Sequence, residues 1–315
     1  MNMKICIIGK GSIGKRHAKI FKKLGFKIFF LRSKKKFLEK NDFFKIDEMK
    51  KIKFDLYCIC NPSSEHLNTL TKIIYSNMNV LIEKPIVTNQ RDLKKIINLK
   101  KKYKINLFNG YMLRFDPRIN LIKDKIKKKN IRYANFVWQT YMPDWHPYEN
   151  YSNSYASQKK LGGGVLLTCS HEIDLAIQLF GHVKEVFCIE NKSTIKTNVD
   201  NSVNLFLKHN KGTNSNITLD FSSKWKTKRE LDVIGNDFSY KWDFYNSFIE
   251  ENKKSKLKKI FPKKSSNIDE IYKYQNSNII NCIKKKKGFF NENLHTEKVL
   301  IALKKSLKTN KVVKI

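Results

Sequence analysis

Along the first third of the chain, short apolar runs alternate with longer segments of helical spacing. The runs are rich in β-branched and aromatic residues: "KICIIG" (4–9), "KIFFL" (27–31), "DLYCIC" (55–60), "NVLIE" (79–83) and "INLFNG" (105–110). Between them, "SIGKRHAKIFKKLG" (12–25) places Ile13, His17, Ile20, Phe21 and Leu24 on one side, and 64–77 and 90–103 keep the same period. Strand–helix alternation of this kind predicts a parallel sheet covered by helices, and right-handed crossovers make it doubly wound.

The pattern changes after residue 117. A basic helical segment (118–129) precedes a strand-like run (132–141), an aromatic loop (142–160) and an apolar helix (about 164–179) closed by Gly181. Strand-like runs then follow closely at 183–191, 202–210, 215–223 and 229–244, which predicts a mostly antiparallel sheet. Helices are expected at 268–286 and 293–309, a short strand at 312–315, and an exposed loop at 253–266. The expected division is 1–117 and 118–315, an α/β protein of two domains.

Composition narrows the function. Hydrophobic residues make up 41% of the 315, enough for real cores. The formal charge of +36 invites a nucleic-acid reading. Its carriers are mostly lysines spread over helix faces and loops, as in "KDKIKKKN" (123–130), so a solvated surface accounts for them and no specific nucleic acid is expected. The six cysteines show no C-x-x-C spacing and sit mostly in apolar runs, so neither a disulfide framework nor a metal site is expected. With no signal-like start and no long apolar span, a cytoplasmic setting without membrane contact is the expectation.

"GKGSIG" (9–14) is G-x-G-x-x-G between the first strand and the first helix, the context a dinucleotide fold requires. Gly9, Gly11, Ser12, Ile13 and Gly14 would receive the pyrophosphate at the helix N-terminus. The second strand ends in Arg32 and Ser33, where NAD-preferring sites place an acid. A guanidinium there favours NADP, with NAD as the alternative. "CNPSSEHL" (60–67) ends the third strand, so Asn61 and Pro62 would border the cofactor. His66, in the next helix's first turn, would be solvent-facing, a cap or a ligand contact. "LIEKPI" (81–86) ends another strand, so Glu83 and Lys84 would face the crevice, and a lysine there suits acid/base work.

These motifs, followed by "LGGGVLLTCSHEIDLAIQLFG" (161–181), resemble the glucose–fructose oxidoreductase / inositol dehydrogenase (Gfo/Idh/MocA) family over nearly the whole chain. "GYMLRFDP" (110–117) and "LDVIGNDFSYKWD" (231–243) extend the resemblance. It implies a Rossmann domain, then an α/β domain with an open sheet whose face serves oligomer contacts, giving a homodimer or homotetramer. It also implies catalytic roles for Lys84, His171 and Asp174. The activity implied is NAD(P)-dependent hydride transfer at a secondary alcohol or ketone of a sugar, cyclitol or sugar conjugate. Tyr111, Arg114, Trp145, His146, Tyr155 and Lys160 are candidates for the substrate wall, and the loop's wording is similar to a subgroup linked to surface-polysaccharide sugars. The chain departs from the pattern at Thr168, where a subgroup of the family carries an aspartate. Threonine cannot hold that charge, so Asp174 or Glu172 would have to compensate. A non-catalytic dinucleotide or sugar sensor is the alternative that this departure raises.

Overall fold

The computed structural model describes residues 3–33, 39, 41–145, 150–285 and 294–315. The chain divides into two compact units, 1–112 with 268–293, and 113–267 with 294–315.

The first unit runs β1 (Lys4–Ile8), α1 (Ser12–Lys23), β2 (Lys27–Leu31), β3 (Asp42–Phe43), α2 (Ile46–Lys50), β4 (Leu56–Ile59), α3 (His66–Ile73), β5 (Asn79–Ile82), α4 (Gln90–Tyr103) and β6 (Asn106–Asn109). Its sheet is parallel throughout, in the order β3-β2-β1-β4-β5-β6. That order reverses between β1 and β4, so the carboxyl ends of these strands flank the switch point where such sheets bind ligands. The central strands are buried on both faces, which is why they read as continuous apolar runs. β3 and α2 were not evident in the sequence.

The second unit begins with α5 (Pro117–Ile126), capped by the Asp116 carboxylate, which accepts from the Arg118 backbone N–H. β7 (Ile131–Gln139), α6 (Val165–Thr168) and α7 (His171–Phe180) follow, so the helix expected over 164–179 is broken at Cys169–Ser170. Next come β8 (Val183–Glu190), β9 (Ser202–His209), β10 (Asn214–Asp220), β11 (Lys228–Gly235), β12 (Phe238–Asp243), β13 (Ile249–Lys253) and β14 (Lys256–Ile260). The last two form a hairpin, where a loop was expected over 253–266. α8 (Ile268–Lys284) belongs to the first unit: Ile279 and Ile280 share a core with Ile5, Ile7, Ala18 and Phe21. α9 (His295–Thr309) and β15 (Val313–Lys314) return to the second. Among the described residues its sheet order is β14-β13-β12-β11-β7-β10-β9-β8-β15, antiparallel except where β7 pairs with β10. β9 shows the half-buried alternation: Val203, Leu205 and Leu207 face inward while Asn204 and Phe206 are exposed.

Candidate functional site

The glycine loop of the first unit is shaped by close approaches. Gly9 has φ +101°, donates its N–H to the Leu31 carbonyl at 3.0 Å, and a Cβ there would lie 3.0 Å from the Asn61 nitrogen. At Gly14 a Cβ would collide with the Gly9 carbonyl oxygen, so the third glycine lets α1 press against the loop. Gly11 differs: a Cβ there would meet open space. It occupies the N-cap of α1, supplies no capping side chain, and the first turn carries no acid. Exposed Ser12 and half-buried Ile13 begin the helix there. A helix start left uncapped by side chains, beside open space, fits the phosphates of a dinucleotide.

At the end of β2, Arg32 Nη1 donates to Asp42 Oδ2 at 3.0 Å. Lys10, inside the glycine motif, donates to the same oxygen at 3.1 Å and to Glu39 Oε1 at 2.6 Å. Burial works to raise the Asp42 carboxyl, but the Glu39 backbone N–H, Lys10 and Arg32 outweigh it and hold it below the ordinary range. Two cations therefore converge where the adenosine ribose of a dinucleotide would lie in such a fold. Lys10 and Asp42 were missed; Lys10 was visible as the basic residue within "GKG". Ser33 is exposed beside them.

At the end of β4, Asn61 Nδ2 donates to Thr69 Oγ1 at 2.7 Å, while its Oδ1 is buried with no hydrogen-bond partner among the described residues. That orphaned acceptor fits a ligand donor. Pro62 is half-buried beside it. His66 is neither solvent-facing nor exposed: it is 1% accessible. Its Nε2 lies 2.9 Å from the Asn61 carbonyl oxygen and its Nδ1 3.0 Å from that of Pro85, so it ties the β4 turn to the E-K-P turn. Burial lowers its pKa, against the pull of those carbonyls. Glu83, expected to face the crevice, is instead buried with its carboxylate on His17, at 2.8 Å, and on the Lys84 backbone N–H, at 3.2 Å. Lys84 is half-buried, and the Lys84–Pro85 peptide is cis. Tyr111 is fully buried.

In the second unit the glycine run fits a tight corner. Gly164 has φ +109°, and a Cβ there would collide with the Asp200 carboxylate. Asp200 Oδ2 accepts the Leu166 N–H at 2.8 Å, and its carbonyl accepts that of Val165 at 2.8 Å, so Asp200 starts α6. A Cβ at Gly163 would sit 2.5 Å from the Tyr155 and Ala156 carbonyl oxygens. His171 opens α7, buried at 5% exposure. Asp174, one turn on, is held on both oxygens: Arg114 Nε donates to Oδ2 at 2.8 Å, and Arg114 Nη2 to Oδ1 at 2.6 Å. Thr296 of α9 adds a third donor at 2.8 Å. Glu172 Oε1 accepts from Arg229 Nε at 2.7 Å, and that guanidinium stacks 3.8 Å above the Trp138 ring. Both carboxylates of α7 are thus matched by an arginine, and neither is spare to compensate for the buried Thr168.

The remaining substrate-wall candidates differ in their surroundings. Arg114 is engaged by Asp174. Trp145 Nε1 donates to Thr140 Oγ1 at 2.8 Å, and its ring packs on Trp138 and Phe221. The Tyr155 hydroxyl donates to the Gly162 carbonyl at 3.1 Å. Lys160 is exposed and borders an open cavity of about 420 Å³ with Ser152, Ser157, Gln158, Thr197 and Asn198. His146 lies outside the described residues. No cluster of three metal-ligating side chains occurs among the described residues, and no helix among them is long and apolar enough to cross a membrane.

A family model described as an oxidoreductase family with NAD-binding Rossmann fold matches residues 3–111, and one described as the GFO/IDH/MocA C-terminal domain matches 130–241. The chain belongs to the Gfo/Idh/MocA oxidoreductase family. It is similar to myo-inositol 2-dehydrogenase of Thermotoga maritima, 26% identical over 199 residues, 59% of this chain and 57% of that protein. It is also similar to the rhizopine catabolism protein MocA of Rhizobium meliloti, 26% identical over 141 residues, 43% of this chain and 41% of that protein. The chain therefore spans about half the length of the curated relatives it matches. Among solved structures, levoglucosan dehydrogenase in complex with NADH superposes with a TM-score of 0.88 at 14% identity, covering 100% of this chain and 99% of that one. UDP-N-acetylglucosamine 3-dehydrogenase from Acidithiobacillus ferrooxidans gives 0.80 at 15%, covering 98% of each. At these identities the likeness shows the fold.

Proposed function

We propose that the protein is an NAD(P)-dependent dehydrogenase or reductase acting on a secondary alcohol or ketone of a sugar, cyclitol or sugar conjugate. The observation that carries this is the phosphate cradle: Gly11 open above an uncapped helix start, with the buried, unpaired Asn61 oxygen on the neighbouring strand end. NADP is the preferred cofactor, because Arg32 stands at the end of β2, where a guanidinium suits a 2′-phosphate, and Lys10 of the glycine motif shares its Asp42 partner. When bound, the nicotinamide supplies the hydride acceptor or donor. His171 is the proposed acceptor of the hydroxyl proton during oxidation, and Lys84 the proposed hydrogen-bond donor to an oxygen gaining carbonyl character. Asp174 serves this chemistry by fixing Arg114 rather than by moving a proton. The likeness to myo-inositol 2-dehydrogenase and to levoglucosan dehydrogenase supports the substrate class. A nucleotide-linked sugar of surface-polysaccharide biosynthesis is the narrower reading, and a homodimer or homotetramer the expected assembly.

The test is titration with NADPH and NADH, followed by reduced-nicotinamide fluorescence, then a turnover screen over polyols, sugars and nucleotide sugars. Failure to bind either cofactor refutes the reading. Tight binding with no turnover on any of them favours the sensor, the alternative that uncharged Thr168 motivates.

A further inference from the structure

The least expected feature of the first unit is a buried histidine–carboxyl contact beside the glycine motif. His17, on α1 one turn past Gly14, is fully buried and gripped by aromatic rings. It stacks on Phe21 with centroids 6.1 Å apart and meets Tyr272 of α8 edge-on at 5.5 Å. Held so, its Nε2 donates to Glu83 Oε1 at 2.8 Å. The other oxygen, Oε2, accepts the backbone N–H of Lys84 at 3.2 Å. Behind the carboxylate lies Gly110, where a Cβ would come within 2.7–2.8 Å of all three carboxyl atoms. The slot therefore holds the Glu83 head in one place, with α1 on one side and the Lys84 peptide on the other.

A buried carboxylate is costly, and apolar side chains of similar volume often replace buried ion pairs with no loss of stability. An ionisable pair in a slot that an apolar pair could fill points to a positioning role. We infer that His17 and Glu83 are positioning residues: they fix the Lys84 peptide relative to the helix that starts at the glycine motif. The inference rests on the proposed role of Lys84. It makes Glu83, expected from the sequence to face the crevice, an intermediary between the phosphate-loop helix and the working lysine.

Gly110→Ala offers a test that leaves both residues chemically intact, since its methyl group would displace the Glu83 head. Glu83→Gln keeps the shape and one acceptor, and Glu83→Ala removes both acceptors. Turnover, NADPH affinity by fluorescence, thermal midpoint and hydrogen exchange of the 82–88 segment would be measured for each on full-length protein. The expectation is a roughly 10- to 100-fold loss of kcat, as small misplacements of a catalytic group produce. Cofactor affinity should be nearly unchanged, exchange at Lys84 faster, and Glu83→Gln better than Glu83→Ala. Adding Gly110→Ala to Glu83→Ala should cost nothing further, because the head it displaces is gone. Unchanged kcat and exchange in folded Gly110→Ala and Glu83→Gln would overturn the inference, as would a fall in thermal midpoint alone. Lys84→Ala separates the two claims. Full turnover in that variant sinks the role of Lys84, while the exchange data still decide whether the pair fixes its peptide, including where no turnover is found.

Discussion

Replacing Asp174 separates an anchoring carboxylate from a catalytic one. In the structure it accepts two hydrogen bonds from Arg114 and one from Thr296, and it is 1% exposed. Arg114 is itself largely buried, its side chain 14% accessible. Asp174→Ala would remove this shared acceptor from the guanidinium and the Thr296 hydroxyl, and breaking one partner of a buried pair costs about 3–5 kcal/mol. Asp174→Asn is milder in shape: one oxygen remains, but an amide N–H₂ then faces an Arg114 donor. Loss of one charge-assisted bond costs about 1.5–3 kcal/mol. Urea unfolding followed by intrinsic fluorescence would give both values, and turnover per folded molecule would be measured under conditions where each variant is native. The expected result is a large stability loss, ordered Ala worse than Asn, with kcat of folded Asp174→Asn within about tenfold of the parent enzyme. A variant of full stability whose kcat falls by about a thousandfold would refute the anchoring role and restore Asp174 to proton transfer.

Three further outcomes are expected. Arg32→Ala should weaken NADPH binding more than NADH binding, by about tenfold relative, as loss of a guanidinium–phosphate contact implies; equal loss for both would remove Arg32 from cofactor choice. Gly164→Ala should destabilise by roughly 2–3 kcal/mol, from its left-handed φ and the Asp200 carboxylate in the way; an unchanged urea midpoint would contradict that packing. His295 should make the protein acid-sensitive, because its Nε2 accepts the Val183 N–H at 2.9 Å while burial, and then stacked His182, push its pKa down to about 4. The unfolded chain takes up that proton near pH 6.5, so the contribution is complete above that pH and is lost as pH falls towards 4, by about 2 kcal/mol after allowing for partial solvent access. Buried His209, also lowered, adds in the same direction. Urea midpoints at pH 7.5 and 5 should therefore differ, and His295→Gln should narrow the gap; an identical gap would exclude His295.

The strands of the first unit were legible because burial on both faces leaves unbroken apolar runs, and α1 because its inward residues recur at helical spacing. Periodicity fails where burial does not alternate. β14 is exposed at Lys256, Leu257, Lys258 and Lys259, so no inward face marks it as a strand and it reads as a basic loop. The break between α6 and α7 is hidden for the opposite reason: Val165 to Ile177 is buried throughout, so no exposed position betrays the kink. α8 was visible as a helix, but local spacing says nothing about which unit its apolar face joins.

The site shows the same limit at the level of side chains. The glycines, the E-K-P turn and the helix of His171 were readable because each is a local pattern with a local geometric reason. Their partners are not local: Glu83 meets His17 across 66 positions, Asp174 meets Arg114 across 60 and Thr296 across 122, and Glu172 meets Arg229 across 57. No spacing rule reaches that far. Those contacts change the reading of charge around α7. The sequence shows two acids and an absent third at Thr168, which argues for compensation. The structure shows each acid neutralised by its own arginine, one of them stacked on a tryptophan. Neither of these two carboxylates is therefore free to stand in for an acid at position 168. On the proposed mechanism, the imidazole takes the alcohol proton without help from Glu172 or Asp174, and Lys84 carries the polarisation of the oxygen.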